Sequence, residues 1–208
     1  MRRALRRGLA GIWSHAEAPL PEGGAVVVAN HHSWWDAYLA WAVADHVGRP
    51  SGAIMDDDQL ARFPFFRHLG AVAASAPRAA ARRAAGGAWL FVFPEGGIRA
   101  PGPLGPTRPG AAAVARWSGR PALPLAMRAV LRGGQHPEVY LRFGAPIAGT
   151  VEPDRLRAEL ASLLARLDAD VAGAADPEAP VPGYEPWWPP RAAGHQAAAR
   201  WRRWWGAA

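Results

Sequence analysis

Two apolar runs without polar alternation stand out along the chain, Ala-Val-Val-Val-Ala at 25–29 and Trp-Leu-Phe-Val-Phe at 89–93. Runs of this length, rich in β-branched and aromatic side chains, predict strands covered on both faces, as in the middle of a parallel sheet. Further segments at 52–55, 71–74, 123–130 and 138–143 predict more strands. Between them the pattern changes to helical spacing. Residues 34–47 are apolar on most sides, 78–85 predicts a helix stopped by Gly86-Gly87, and 110–117 predicts another. Leu156, Leu160, Leu163, Leu164, Leu167 and Val171 mark one face of a longer amphipathic helix. Asp56-Asp57-Asp58 reads as a helix start, because acidic side chains favour the positive end of the helix dipole. Strands alternating with helices predict an α/β fold, a single domain with a mostly parallel mixed sheet flanked by helices.

The two ends read differently. Taken as a helix, the N-terminus sets Leu5, Leu9 and Ile12 on one side, with Arg3 and Arg7 opposite. Gly8 and Gly11 each weaken such a helix by about 1 kcal/mol relative to Ala. The stretch 176–190 is Pro-rich and predicts an extended linker. Beyond it, 197–205 groups Trp201, Trp204 and Trp205 on one helical face, with Arg200, Arg202 and Arg203 around the rest. The organisation expected is a basic amphipathic segment at 1–18, a domain at 19–175 and a Pro/Trp/Arg-rich tail at 176–208. Trp favours the headgroup region, and Arg is drawn to anionic lipid by about 1 kcal/mol per charge. Leu5, Leu9, Trp201, Trp204 and Trp205 are therefore expected membrane contacts. The alternative is a frayed tail or a helix that caps the domain.

Composition narrows the functional classes. With no Cys, disulfides, a Cys nucleophile and thiolate metal sites are excluded. All 24 basic residues are Arg, and seven of them (Arg2, Arg3, Arg6, Arg7, Arg200, Arg202, Arg203) lie at the ends; removing these seven leaves 17 against 17 acids. A neutral body gives no basic stripe for nucleic acid, so no nucleic-acid partner is expected. No run reaches about 18 apolar residues, which argues against a transmembrane helix. The basic start has no apolar block of the length a secretory signal needs, so a cytoplasmic location is expected. The histidines lack metal-ligand spacing, and no metal is expected.

Two loops carry candidate chemistry. His31 and Asp36 follow the first strand directly, at the kind of position where α/β folds place their sites. Asp36 can hold one imidazole nitrogen and leave the other as a base. Spacing alone equally fits a helix-capping His31 and a surface Asp36. The second loop, Phe93-Pro94-Glu95-Gly96-Gly97-Ile98-Arg99, also leaves an apolar strand. Its paired glycines let backbone amides approach an anion, Arg99 can grip phosphate, and Glu95 can hold a hydroxyl or orient the Arg. A tight turn with a surface Arg fits the same residues.

Together, Asn30-His31-His32-Ser33-Trp34-Trp35-Asp36 and Phe93-Pro94-Glu95-Gly96 resemble the NHxSxxD and FPEGTRS blocks of the glycerol-phosphate and lysophosphatidic acid acyltransferase family. Phe65-Phe66-Arg67-His68-Leu69-Gly70 and Leu123-Pro124-Leu125-Ala126 look like its weaker second and fourth blocks. The resemblance spans roughly residues 20–150. It implies a membrane-associated O-acyltransferase of phospholipid biosynthesis, peripheral on the cytoplasmic face of a membrane that bears anionic lipid. His31 would be the general base supported by Asp36, and the acceptor would be a lysolipid, 1-acylglycerol-3-phosphate first. The donor would be an acyl thioester (acyl-CoA or acyl-ACP), with no resident cofactor. Glu95, Gly96, Gly97, Arg99 and Arg78 would bind the acceptor, and Pro124 would border the acyl donor. Ser33 belongs to the same set, or caps the following helix. Two departures stand against the pattern. Ile98 occupies the place of the third-block Arg, and the second-block Arg falls on Ala76 or Pro77, with Arg78 the nearest substitute. Both touch the expected phosphate ligands and leave the His-Asp pair intact. A lipid hydroxyl without phosphate (a glycolipid or lipid glycoside) and a catalytically silent lipid-binding protein are the alternatives.

Overall fold

The computed structural model describes residues 1–177 and 179–188. Its centre is β2 (Ala25–Ala29), every residue of which is buried. Val26 and Val28 point into one layer while Ala25, Val27 and Ala29 point into the other, so a β-branched run without alternation satisfies both faces. β5 (Trp89–Val92) is equally buried and pairs with β2 in parallel. On their two sides lie β3 (Ser51–Met55), β4 (Ala71–Ala73), β6 (Ala122–Val130) and β7 (Glu138–Phe143). Two more strands, β1 (Gly11–Ala16) and β8 (Glu185–Pro186), complete the order β4-β3-β5-β2-β6-β7-β1-β8. The five strands from β4 to β6 are parallel. β7 runs antiparallel to β6, β1 parallel to β7, and β8 antiparallel to β1.

Helices cover both faces. One layer holds α1 (Arg2–Gly8) and α2 (Asp36–His46), which buries Leu39, Ala40 and Val43 against Val27, Phe91 and Leu123. The other holds α4 (Pro77–Ala85), α5 (Gly110–Ser118) and α6 (Pro153–Gly173). α6 lays Leu156, Leu160, Leu163, Leu164 and Leu167 across the sheet, the stripe its spacing predicts. The short α3 (Asp57–Arg62) begins at Asp56, whose side chain accepts the Asp58 N–H.

The ends depart from expectation. The N-terminal helix stops at Gly8 instead of continuing to Ile12, and β1 enters the sheet beside β7. Residues 1–18 are therefore part of the domain. Leu5 and Leu9 are buried with Ile12 in the core layer of α2, which removes them as lipid contacts. Gly8 is needed for close approach here: a Cβ on it would stand 2.2 Å from the Trp35 ring. The start of the expected tail is also packed. Val181 and Tyr184 are buried beside Tyr140, the Tyr184 hydroxyl donates to Asp170 at 2.8 Å, and Trp187 donates to the Ser14 hydroxyl at 2.8 Å. An extended linker does not fit residues 179–188. Trp201, Trp204 and Trp205 lie outside the described residues.

Candidate active site

β2 and β5 are neighbours, but their chains leave for opposite layers, β2 into α2 and β5 into α5. Such a reversal opens a crevice at the carboxyl ends of the two strands. The two loops that carry candidate chemistry meet there.

His31 Nδ1 lies 2.7 Å from Asp36 Oδ2. Asp36 is fully buried and the His31 side chain is 19% exposed, so the ring sits at the surface with its partner behind it. Asp36 Oδ2 also accepts the backbone N–H groups of His32 and Ser33, each at 2.9 Å. With a carboxylate as acceptor, Nδ1 carries the proton and Nε2 presents a lone pair. The other Asp36 oxygen, Oδ1, is buried with no hydrogen-bond partner. All three of the hydrogen bonds that Asp36 accepts therefore come from the histidine turn. The Phe93 ring stacks on the His31 ring at 4.5 Å between centroids, which limits its rotation.

Glu95 holds the same turn from the neighbouring strand. One of its oxygens accepts the His31 N–H at 2.8 Å and the other accepts the Gly105 N–H at 3.0 Å. The His31 carbonyl in turn accepts the Arg99 N–H at 2.8 Å. Both carboxylate oxygens are engaged by backbone, so Glu95 ties two loops together. A hydrogen bond to a charged group contributes about 1.5–3 kcal/mol, enough to fix the loop.

The other expected acceptor ligands divide. Gly96, Gly97 and Arg99 stay at the mouth, and the Arg99 side chain is exposed. Gly96 adopts φ +72°, and a Cβ there would stand 3.0 Å from the Arg108 guanidinium carbon; glycine permits both the turn and the approach of Arg108. Arg78 goes elsewhere, stacking its guanidinium on Trp117 at 4.0 Å. The Ser33 hydroxyl accepts the Trp35 N–H at 3.2 Å in the turn before α2, whose N-cap is Trp35 with no side-chain cap bond, so Ser33 does not cap that helix. Pro124 is buried in β6, paired with Val28, and lies with Leu163 of α6 beside Gly144.

Three supporting residues carry no signal in spacing alone. Asn30 is buried and bonds the Met127 backbone twice, through Oδ1 at 2.8 Å and Nδ2 at 3.0 Å, pinning the end of β2 to β6. A polar residue directly after an all-apolar strand is the hint it offers. His32 turns the other way from His31, and its Nε2 accepts the Ala129 N–H at 3.1 Å. Burial holds its pKa below the usual histidine value, with Arg128 and His31 nearby acting in the same direction. Phe93, the third, supplies the stacking face described above. A pocket of about 290 Å³ lies beyond the 94–109 loop, between the first turns of α5 and α6. Its buried lining is Val28, Pro94, Ala111, Ala112, Leu156 and Leu160, and it does not include His31.

With this geometry in place, comparison with known proteins decides the family. The acyltransferase family model matches residues 12–128, more than half of the chain. The chain belongs to the acyltransferase family. The fold is similar to the crystal structure of the 1-acyl-sn-glycerophosphate (LPA) acyltransferase PlsC from Thermotoga maritima, with a TM-score of 0.53 at 23% identity. That likeness covers 74% of this chain and 69% of the Thermotoga chain. No curated protein matches the chain significantly. The matched stretch of this acyltransferase contains both loops that meet at His31 and ends within β6. Among the described residues no helix is long and apolar enough to cross a membrane.

Proposed function

We propose that this acyltransferase moves a fatty acyl group from an acyl thioester, carried by coenzyme A or acyl carrier protein, to the hydroxyl of a lysophospholipid. The leading acceptor is 1-acylglycerol-3-phosphate, which would place the reaction in phospholipid biosynthesis on the cytoplasmic face of a membrane. The observation that carries this reading is the 2.7 Å contact between His31 Nδ1 and a fully buried Asp36, on a ring that reaches the surface. His31 Nε2 takes the proton of the acceptor hydroxyl as its oxygen bonds to the thioester carbonyl carbon. The tetrahedral adduct then collapses, the C–S bond breaks, and the imidazolium returns its proton to the leaving sulfur. Products are an ester and a free thiol, with no acyl-enzyme. Asp36 keeps Nδ1 protonated and stabilises the imidazolium between the two proton transfers. Arg99 is the proposed anchor for the acceptor phosphate, with the backbone amide of Gly97, since the Gly96 N–H donates to the Phe93 carbonyl at 3.1 Å.

A lipid hydroxyl without phosphate is the second reading. It is favoured by Ile98 in place of an arginine, by Arg78 lying on Trp117 and by Glu95 being consumed within the fold. One assay separates them: purified enzyme, one acyl-CoA, and a panel of lysolipids with and without phosphate. His31→Ala is expected to lower thioester turnover by at least about a hundredfold, the low end for loss of a general base. Arg99→Ala should raise the KM for lysophosphatidate while barely changing that for a neutral acceptor. Unchanged turnover in His31→Ala would remove the assigned base.

A further inference from the structure

The strands β3, β5, β2 and β6 run parallel, so the segments that follow them share one edge of the sheet, the edge that holds His31. That edge also carries three of the six large hydrophobic side chains that stand exposed among the described residues. Trp34 follows β2, Ile98 follows β5 and Leu131 follows β6, whereas Phe63 and Phe65 lie past α3, where the chain returns towards the start of β4. The three most exposed are Leu131 at 70%, Trp34 at 63% and Ile98 at 58%. They are also the three nearest His31 along the bonded framework. Trp34 lies in the same turn, Ile98 precedes the Arg99 N–H bonded to the His31 carbonyl, and Leu131 lies two residues after the Ala129 N–H bonded to His32.

Charge on this rim has one sign close to the mouth. In the loops at 30–35, 93–109 and 131–136 the exposed charged side chains are Arg99 and Arg108, while Glu95 is buried and bonded inward. Neither arginine is in an ion pair among the described residues. Further out, Arg62 and Arg67 flank the two phenylalanines, and Asp56, Asp57 and Asp58 cap α3, with Asp57 turned onto Ser75. Single apolar side chains on separate loop tips, with arginine among them, do not make the continuous flat patch of a protein interface. They suit a surface into which each tip can sink separately while arginine meets phosphate headgroups.

We infer that the rim of the site, through Trp34, Ile98 and Leu131 with Arg99 and Arg108, is a docking surface for a bilayer containing anionic lipid. The mouth then opens onto the membrane, and a lysolipid reaches His31 without crossing water. This rests on the reading of the acceptor as a lipid, and it moves the membrane contact from the N-terminal leucines to the carboxyl edge of the sheet.

Since the chain has no cysteine, Leu131→Cys or Ile98→Cys carries one solvatochromic dye at a known place, with Glu22→Cys at the opposite edge as control. On phosphatidylcholine vesicles containing phosphatidylglycerol, dyes at 131 and 98 should shift to the blue and the dye at 22 should not. The unlabelled Ile98→Ser/Leu131→Ser variant should bind these vesicles at least about tenfold more weakly in sedimentation. Acyl transfer to a short-chain, monomeric lysolipid is measured beside it as a separate test of the chemistry. A vesicle-bound protein whose dye at 131 stays water-like overturns the inference, as does unchanged binding of the double variant. Loss of vesicle binding only on removal of residues 192–208 overturns it too. If those results appear while His31→Ala still abolishes transfer to the monomeric lysolipid, the docking surface is wrong and the chemistry stands.

Discussion

Replacing Asp36 by Asn tests the site at its most informative atom. An amide oxygen in the place of Oδ2 can still accept from His32, Ser33 and His31, which all bond that one oxygen. The turn should survive while the charge disappears. An imidazolium and a carboxylate whose centres are about 4 Å apart attract by about 4 kcal/mol at an effective dielectric near 20. With the proton about half transferred in the transition state, about 2 kcal/mol of that is lost. Exchanging a charge-assisted hydrogen bond for a neutral one adds about 1 kcal/mol. A total near 3 kcal/mol corresponds to about a hundredfold fall in kcat. KM should move little, because Asp36 is fully buried behind the ring. A thiol-reactive chromogen follows released thiol directly, since the protein contributes no thiol. The new amide nitrogen falls where Oδ1 has no partner, so thermal melting must be recorded in parallel. A variant within about threefold of wild-type kcat, with its melting unchanged, would show that Asp36 only shapes the turn. The double variant with His31→Ala should be hardly slower than His31→Ala alone if the pair acts as a unit.

Glu95→Ala leaves the His31 and Gly105 N–H groups unpaired, and should cost about 2–4 kcal/mol in denaturant unfolding together with a fall in kcat. A raised acceptor KM with unchanged stability would instead place Glu95 on the acceptor. Leu9→Ala should destabilise by about 2–4 kcal/mol, as a buried leucine does, whereas a lipid-facing Leu9 would leave unfolding unaffected. Burial keeps folded His32 neutral below 6.5, while the unfolded chain takes up a proton there as pH falls. The unfolded state binds more protons in that window, so this histidine's contribution is complete above 6.5 and erodes as pH drops. Melting temperature should therefore fall less steeply between pH 7 and 5 in His32→Gln than in wild type.

The chain's own pattern was enough for the interior. Val26, Val27 and Val28, the run from Trp89 to Val92 and the leucine stripe of α6 each announce an element whose burial follows from local periodicity. The spacing of His31 and Asp36 allowed the pair without requiring it. Its place directly after a buried strand, with the resemblance of the block around it, pointed to the contact that the structure has. Local pattern failed where two environments demand the same side chains. Leu5 and Leu9 form an apolar face that lipid or a protein core could cover, and only the docking of α1 beside α2 decides for the core. Gly11 to Ala16 becomes a strand through β7, which lies more than 120 positions further along the chain, and no window around β1 contains that information.

Distance in sequence also separates what was legible in the site from what was not. A histidine and an aspartate five residues apart can be recognised locally as a candidate pair. The engagement of Glu95 with His31 and Gly105, the stacking of Arg78 on Trp117 and the burial of Pro124 towards α6 depend on which strands are neighbours. By itself the sequence determined the secondary elements of the core and the residues able to do acid–base chemistry, because those follow from short-range spacing. The tertiary structure alone decided which side chains are spent on holding the loops and which remain at the mouth, since hydrogen-bond partners are chosen by strand order and burial across the whole sheet.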